Sequence, residues 1–439
     1  MREQTKKLFR YTIPSILGMM SVFIFSIIDG IFLGNGVGIN AVGAINLAFP
    51  FVMVFSAVTM LTTIGGLTIT AIRMGRKDYE GANRIFMLSF SLSACTGLLI
   101  CTAGIFCTEF IARLLGATDT FLELVKEYIF WYSVFIVPCC LCITLNGFAR
   151  NDGAPVLVSV LTIIATSLNV LGDYIFIFPL HMGLKGAAIA TGISQTIAFC
   201  GVLCHFLFRR GRLHFGRAEW NPRLVLNIFK RGTPECAAQF STPITMVCTN
   251  IVLAKYLGDV AINAYSLIMF IATFSASIFI GASQGLQPLF GNSYGSSSES
   301  DLKFYLKSGL ALSFFSCLVV NTIIFFIGAF ICSLFNADAA SAALCEEQMT
   351  KYLIALAIES ITVTISDFFY STTRTKESLI TYSARGFTVN ILAVLLLPAI
   401  FGADSIWYAH LVTEIIVMSI ALILLRHSTK DGFIRNAQE

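Results

Sequence analysis

Two aspartates lie inside apolar segments that are long enough to cross a lipid bilayer. Asp29 follows an apolar run that begins near Phe9, and Asp173 lies in a second run over about residues 156–178. A carboxylate at membrane depth costs about 2.5–3.5 kcal/mol on insertion scales, so it normally faces a helix bundle or a water-filled cavity. Because Asp29 is only a few residues from the end of its segment, a position among the outer headgroups is the alternative.

Oxygen-bearing side chains share one predicted helical face with the second aspartate. They recur at spacings of 4, 3 and 4 residues: Thr162, Thr166, Asn169 and Asp173. Thr191, about seven residues into the next segment, is predicted at a similar depth. Two carboxylates beside an amide and a hydroxyl could accept a proton or ligate a hard cation such as Na⁺. Hydrogen bonds that only join helices are the alternative.

The second half of the chain carries a different set of polar side chains within its apolar segments. We expect these residues to line a substrate cavity: Gln239, Thr242, Glu359, Thr362 and Ser366. Glu359 is predicted near mid-depth, where a carboxylate could bind a cationic substrate.

Pro14 interrupts the backbone hydrogen bonding of the first apolar segment. A proline inside a helix removes one hydrogen bond and can bend the helix. The alternative is that Pro14 lies within the first turns, where proline is tolerated.

Composition identifies an integral membrane protein. Of 439 residues, 56% are hydrophobic and 12% are charged, and the mean hydropathy is +0.81. The apolar runs are continuous rather than alternating, which favours membrane-spanning helices over a barrel. The GxxxxGK[ST] motif of nucleotide-binding loops is absent from the sequence, so any transport would draw on an ion gradient, and we expect no nucleic-acid binding.

Twelve spans are predicted, and the basic residues orient them. With a cytoplasmic N-terminus, 24 of the 29 Lys and Arg fall on the inner side, which predicts that both termini are cytoplasmic. The predicted spans are roughly 9–33, 41–72, 83–107, 126–148, 156–178, 184–208, 226–254, 261–291, 304–334, 350–373, 378–400 and 405–426.

An internal repeat divides the chain. LFRYTIP (8–14) matches IFKRGTP (228–234), which places Pro14 over Pro234 at an offset of 220 residues. Each repeat contains six spans, so the two halves share one orientation and should be related by a pseudo-two-fold axis along the membrane normal. We therefore predict an all-α membrane protein with an N-terminal six-helix lobe, a cytoplasmic linker and a C-terminal six-helix lobe, at 1–208, 209–225 and 226–439.

The whole chain resembles the multidrug and toxic compound extrusion (MATE) transporters, in particular the bacterial multidrug branch. The motifs that carry the resemblance are Pro14 and Asp29 in the first segment, GIFLGNGVGINAVGAINLAFP after it, NVLGD in the fifth segment, GLKGAAIAT ending at Thr191, and GASQGLQPLFGNSYG in the eighth. The resemblance implies a cation site at Asp29, Asn169, Asp173 and Thr191, and a first helix that bends at Pro14. Some relatives place an acidic residue in the seventh segment, where this chain has Gln239 and Thr242.

These observations predict a secondary active exporter rather than an enzyme. We expect export of organic, cationic or neutral compounds by antiport with H⁺ or Na⁺, no cofactor, and a monomer in the cell (inner) membrane. The alternative is a flippase for lipid-linked saccharides or lipids. Such a protein should line its cavity with Lys or Arg, and the predicted spans contain almost none.

Overall fold

The computed structural model describes residues 2–37, 39–115, 119–218, 220–334, 339–430 and 432–434. Every regular element in these ranges is helical. A π-helical segment covers Ala384–Thr388, and a 3₁₀ helix covers Ala403–Tyr408. The α-helices are α1 Arg2–Gly36, α2 Ile39–Gly75, α3 Tyr79–Phe106, α4 Thr108–Leu114, α5 Asp119–Val134, α6 Ile136–Asn151, α7 Pro155–Ile177, α8 Gly183–Leu207, α9 Pro222–Tyr256, α10 Asp259–Gly295, α11 Glu299–Leu334, α12 Ala339–Ser371, α13 Thr375–Ser383, α14 Val389–Phe401 and α15 Ala409–Ser428.

The helices supply the spans that the sequence predicts. Within the described ranges eleven helical stretches are long and apolar enough to cross a membrane, and the bent pair α5–α6 provides a twelfth. The predicted span 126–148 is broken near Phe135, where the helix axis turns by 53°. Pro138 is the third residue of α6, where its missing N–H removes no hydrogen bond within the helix. The all-helical membrane fold is therefore confirmed, with one span built from two helices.

The chain divides into two compact units, and the first turns of α1 and of α9 each belong to the other unit than the rest of their helix. The N unit comprises Met20–Cys236, and the C unit comprises Met1–Met19 with Ala237–Glu439. Both α1 and α9 are thus divided between units, shortly after Pro14 and Pro234. The predicted lobe boundaries, 1–208 and 226–439, stay a prediction.

A buried carboxylate attaches the basic connection after α8 to the N unit. The Asp152 side chain is fully buried and contacts His205 Nε2 at 3.0 Å. Its Oδ1 accepts hydrogen bonds from the backbone N–H groups of Arg212 at 2.8 Å and Leu213 at 3.2 Å. The connection therefore belongs to this unit.

Glycines allow the closest helix contacts inside each unit. In the N unit, a Cβ on Gly232 of α9 would lie 1.9 Å from the backbone oxygen of Leu61 in α2. In the C unit, a Cβ on Gly285 of α10 would lie 2.6 Å from the backbone oxygen of Tyr11 in α1. Only glycine permits these approaches, which hold the exchanged turns of α1 and α9 in place.

Candidate cation-binding site

The structure brings Asp29 and Asp173 together within the N unit. Asp173 is fully buried and Asp29 is partly buried. Their carboxyl groups are close enough to interact directly. Neither oxygen of Asp173, nor Oδ1 of Asp29, receives a hydrogen bond from a described residue. Two carboxylates cannot bond to each other without a donor, so a shared proton or a bound cation would relieve the repulsion between them.

Helix α7 positions one half of this pair. Pro155 begins α7 at a position where proline costs no hydrogen bond. Thr162 and Thr166 donate to carbonyl oxygens one turn earlier, at 2.9 Å each, so their hydroxyls are satisfied locally. The polar face predicted from the sequence therefore contains two threonines whose hydroxyls bond within α7 and, nearer the end of the helix, Asn169 and Asp173.

Asn169 and Thr191 are also brought together. The Asn169 side-chain amide donates to Thr191 Oγ1 at 3.2 Å, which joins α7 to α8. A Cβ on Gly172 would lie 2.9 Å from the Ala190 side chain, so the two helices are in close contact at this level. Asn169 is one turn before Asp173 on α7, which places this amide–hydroxyl pair next to the carboxyl pair along the helix.

Tyr128 is a neighbour of the carboxyl pair that the sequence does not reveal. This tyrosine of α5 lies within electrostatic range of both Asp29 and Asp173. Its ring stacks on Tyr132, with centroids 5.8 Å apart. The only signal in the sequence is the four-residue spacing of two tyrosines, which is equally typical of ordinary packing.

Pro14 lies inside a helix that continues through it. Helix α1 runs from Arg2 to Gly36. Around the proline, Thr12 Oγ1 donates to the Leu8 oxygen and Ser15 Oγ donates to the Tyr11 oxygen, each at 2.9 Å. A helix-bending role for Pro14 stays a prediction.

The predicted substrate-cavity residues occupy different environments in the C unit. Glu359 and Gln239 are partly buried, while Thr362 and Ser366 are fully buried. Ser366 donates to the Thr362 oxygen at 2.7 Å and to Thr381 at 2.8 Å. The side chain of Thr242 lies outside the described part of the chain. Of the described members, Glu359 is the ionisable one that keeps solvent exposure.

A charged cluster that the sequence does not reveal surrounds Glu359. Arg385 Nε contacts Glu414 Oε1 at 2.7 Å and approaches Glu359 Oε1 at 4.0 Å. His410 Nε2 lies 3.4 Å from Glu359 Oε2. Thr362 donates to Glu414 Oε2 at 2.9 Å. Arg385 is one of the 24 basic residues that the charge count assigns to the inner side, whereas the structure places it in the π-helical segment of a candidate span.

Comparison with known proteins gives a consistent result over almost the whole chain. The MatE family profile matches residues 14–175 and 234–396. The two matches begin at Pro14 and Pro234, the pair that the internal repeat aligns.

Relatives of known name are similar over nearly their full length. The multidrug export protein MepA of Staphylococcus haemolyticus (strain JCSC1435) is 26% identical over 96% of this chain and 93% of its own length. The protein of the same name from Staphylococcus aureus (strain bovine RF122 / ET3-1) is 24% identical with the same coverage.

Solved structures share the fold. An outward-facing multidrug resistance MATE family transporter of the MOP superfamily superimposes with a TM-score of 0.90 at 22% identity, over 97% of this chain and 96% of the other. The D35N mutant of the Vibrio cholerae MATE transporter VcmN gives a TM-score of 0.91 at 18% identity, over 98% of both chains.

Proposed function

The chain belongs to the MatE family and is a multi-pass membrane transporter of the multidrug efflux type, and from this premise we propose that it exports organic cations in exchange for H⁺ or Na⁺ taken up at Asp29 and Asp173. Asn169 and Thr191 would supply neutral oxygens to the same site. We further propose that it works as a monomer in the cell membrane with both termini in the cytoplasm.

The observation that carries this proposal is the pair of adjacent carboxyl groups, in which neither oxygen of Asp173 nor Oδ1 of Asp29 has a hydrogen-bond donor among the described residues. Two ionised carboxylates this close, away from bulk water, repel each other strongly. One added positive charge removes the repulsion, so loading and release of that charge changes the free energy of the N unit by a large amount. A transporter needs such a difference in order to couple two conformations to an ion gradient.

Either ion fits the donors present. Within the described ranges no three His, Cys, Asp or Glu side chains are grouped as metal ligands. Sodium binding would therefore combine the two carboxylates with the neutral oxygens of Asn169 and Thr191, which suit a hard cation. A proton needs only the two carboxyl groups.

The C unit supports cationic rather than anionic cargo. Glu359 keeps 18% of its side chain exposed, whereas Arg385, a basic residue beside it, is 12% exposed and is held by the fully buried Glu414. Of these three side chains, the most exposed is therefore a carboxylate. Its attraction for a cation supports the proposed role of Glu359 in the substrate cavity, with Gln239, Thr242, Thr362 and Ser366 around it.

The test is export of ethidium from proteoliposomes under separately imposed proton and sodium gradients. We expect Asp29→Asn and Asp173→Asn to lose gradient-driven export. A matched control is Ser167→Ala, because Ser167 is on the same helix as Asp173 but is exposed, and its hydroxyl donates to the Ile163 oxygen at 2.8 Å within α7. Undiminished export by either aspartate variant would contradict the proposal, and the effective gradient identifies the ion.

A further inference from the structure

The charged cluster of the C unit has an inner and an outer pair. In the inner pair, Arg385 and Glu414 are 12% and 0% exposed and are joined at 2.7 Å. In the outer pair, His410 and Glu359 are 23% and 18% exposed and are 3.4 Å apart. The inner pair thus forms a short, buried contact, while the contact of the outer pair is longer and less buried.

The charges of the cluster do not balance without an additional positive charge. Two carboxylates, Glu359 and Glu414, face a single guanidinium, that of Arg385. An uncompensated charge at this burial is costly, and a buried ion is normally neutralised by a partner or by a proton. A proton on His410 completes the balance, because an unperturbed imidazole has a pKa near physiological pH.

The other ionisable groups around the cluster cannot supply that charge. Tyr352 of α12 stacks on the His410 ring, with centroids 5.6 Å apart and planes at 19°. Tyr265 of α10 contacts Tyr352 in turn. Cys317 of α11 and Tyr382 of α13 lie within electrostatic range of Glu359 and Arg385, respectively. Tyrosine and cysteine are neutral at physiological pH or become negative, so none of them replaces the proton.

The nearest basic residue along α12, Lys351, has other partners. Lys351, next to Tyr352, lies over the Tyr408 ring with its Nζ 4.2 Å from the centroid and also contacts Gln348. His410 is therefore the group in this cluster that can gain and lose a positive charge near neutral pH.

The backbone at Arg385 is specialised as well. Residues Ala384–Thr388 form a π-helical turn, an element that occurs frequently at functional sites. The hydroxyl of Thr245 in α9 donates to the Gly386 oxygen at 3.4 Å, which joins α9 to this turn. The turn places the guanidinium between both glutamates.

We propose that His410 and Glu359 form a second proton-binding site, in the C unit, that is separate from the Asp29–Asp173 pair. The site holds one positive charge: the proton on His410 Nε2, or an organic cation set against the Glu359 carboxylate. When the cation binds, the Nε2 proton passes to water and the net charge of the cluster stays at zero. The exchange step rests on the proposed function, whereas the proton site itself does not.

The experiment is nitrogen NMR of the full-length, detergent-solubilised protein labelled at its five histidines. The His410→Gln variant assigns the His410 signal by its loss. We expect His410 to be an imidazolium at neutral pH in the wild type and a neutral imidazole in Glu359→Gln. His205, which faces Asp152 in the N unit, is the internal control, and its signal should not change in Glu359→Gln.

A neutral His410 in the wild type, or an imidazolium that persists in Glu359→Gln, overturns the proton site. The wild-type measurement decides alone if Glu359→Gln fails to fold. Addition of tetraphenylphosphonium, an organic cation, should convert His410 to the neutral form in both the wild type and Asp29→Asn.

The two proposals fail in different ways. If tetraphenylphosphonium is exported but His410 stays protonated on saturation, the exchange step is wrong. If no organic cation is exported by the wild type, the proposed function fails, while the imidazolium signal and its loss in Glu359→Gln still decide the proton site.

Discussion

Replacing Asp29 by asparagine should abolish transport without weakening the fold. The side chain keeps its size, and its amide can donate a hydrogen bond to Asp173, whose oxygens receive none from the described residues. The variant therefore resembles the loaded state of the pair permanently. It can no longer take up and release a positive charge, so gradient-driven export should stop.

The effect on stability follows from the repulsion that the substitution removes. At an effective dielectric constant of about 20 and a separation of about 4 Å, two ionised carboxylates repel by about 4 kcal/mol. In the wild type this repulsion appears as pH rises and the shared proton is lost, whereas the variant has no such proton to lose. The stability of Asp29→Asn relative to wild type should therefore increase with pH, with about 4 kcal/mol as the upper limit.

The assay is thermal unfolding in detergent across a pH series, with and without sodium, combined with ethidium export from proteoliposomes. If the site binds Na⁺, sodium should stabilise the wild type at high pH and leave the variant unchanged. A variant that is less stable than the wild type at every pH would refute the charge argument. Retained export would refute the coupling role, whatever the stability.

Three further outcomes are expected from other parts of the structure. Asn169→Leu combined with Thr191→Val should reduce sodium-stimulated ethidium export if these oxygens ligate Na⁺, and proton-driven export should persist. Gly285→Ala should destabilise the protein by about 1–3 kcal/mol in thermal unfolding, because the added Cβ meets helix backbone. The control is Gly309→Ala, which should destabilise the protein less because its Cβ would meet a leucine side chain that can rotate. Equal destabilisation by the two variants would contradict the packing argument. Asp152→Ala should expose the connection 209–222 to limited proteolysis, since two backbone N–H groups lose their acceptor; unchanged cleavage would show that other contacts hold it.

The sequence was sufficient for the spans and for the first candidate site because both depend on local patterns. Long apolar runs predict helices in a bilayer whatever their neighbours are. An aspartate in such a run costs enough free energy to indicate a buried partner or cavity, and the polar face of α7 shows on which side of the helix Asp173 lies. The structure brings Asp29 and Asp173 together, while their role in coupling stays a prediction.

The charged cluster of the C unit was missed because its balance depends on contacts between distant residues. Arg385 lies seven residues into a predicted span, close enough to the end to be counted with the inner surface. Its partner Glu414 is 29 residues further along, on another helix. A single histidine, His410, has no periodic signal. Only the folded structure shows that these side chains neutralise one another.

The division of α1 between the two units has a consequence for the order of synthesis. The first nineteen residues belong with a unit whose remaining part starts at Ala237, so they leave the ribosome long before their packing partners exist. The N unit is complete only once the first turns of α9 have been made. Fragments separated within the basic connection would each lack part of their own unit, and we expect them to accumulate only when both are produced together.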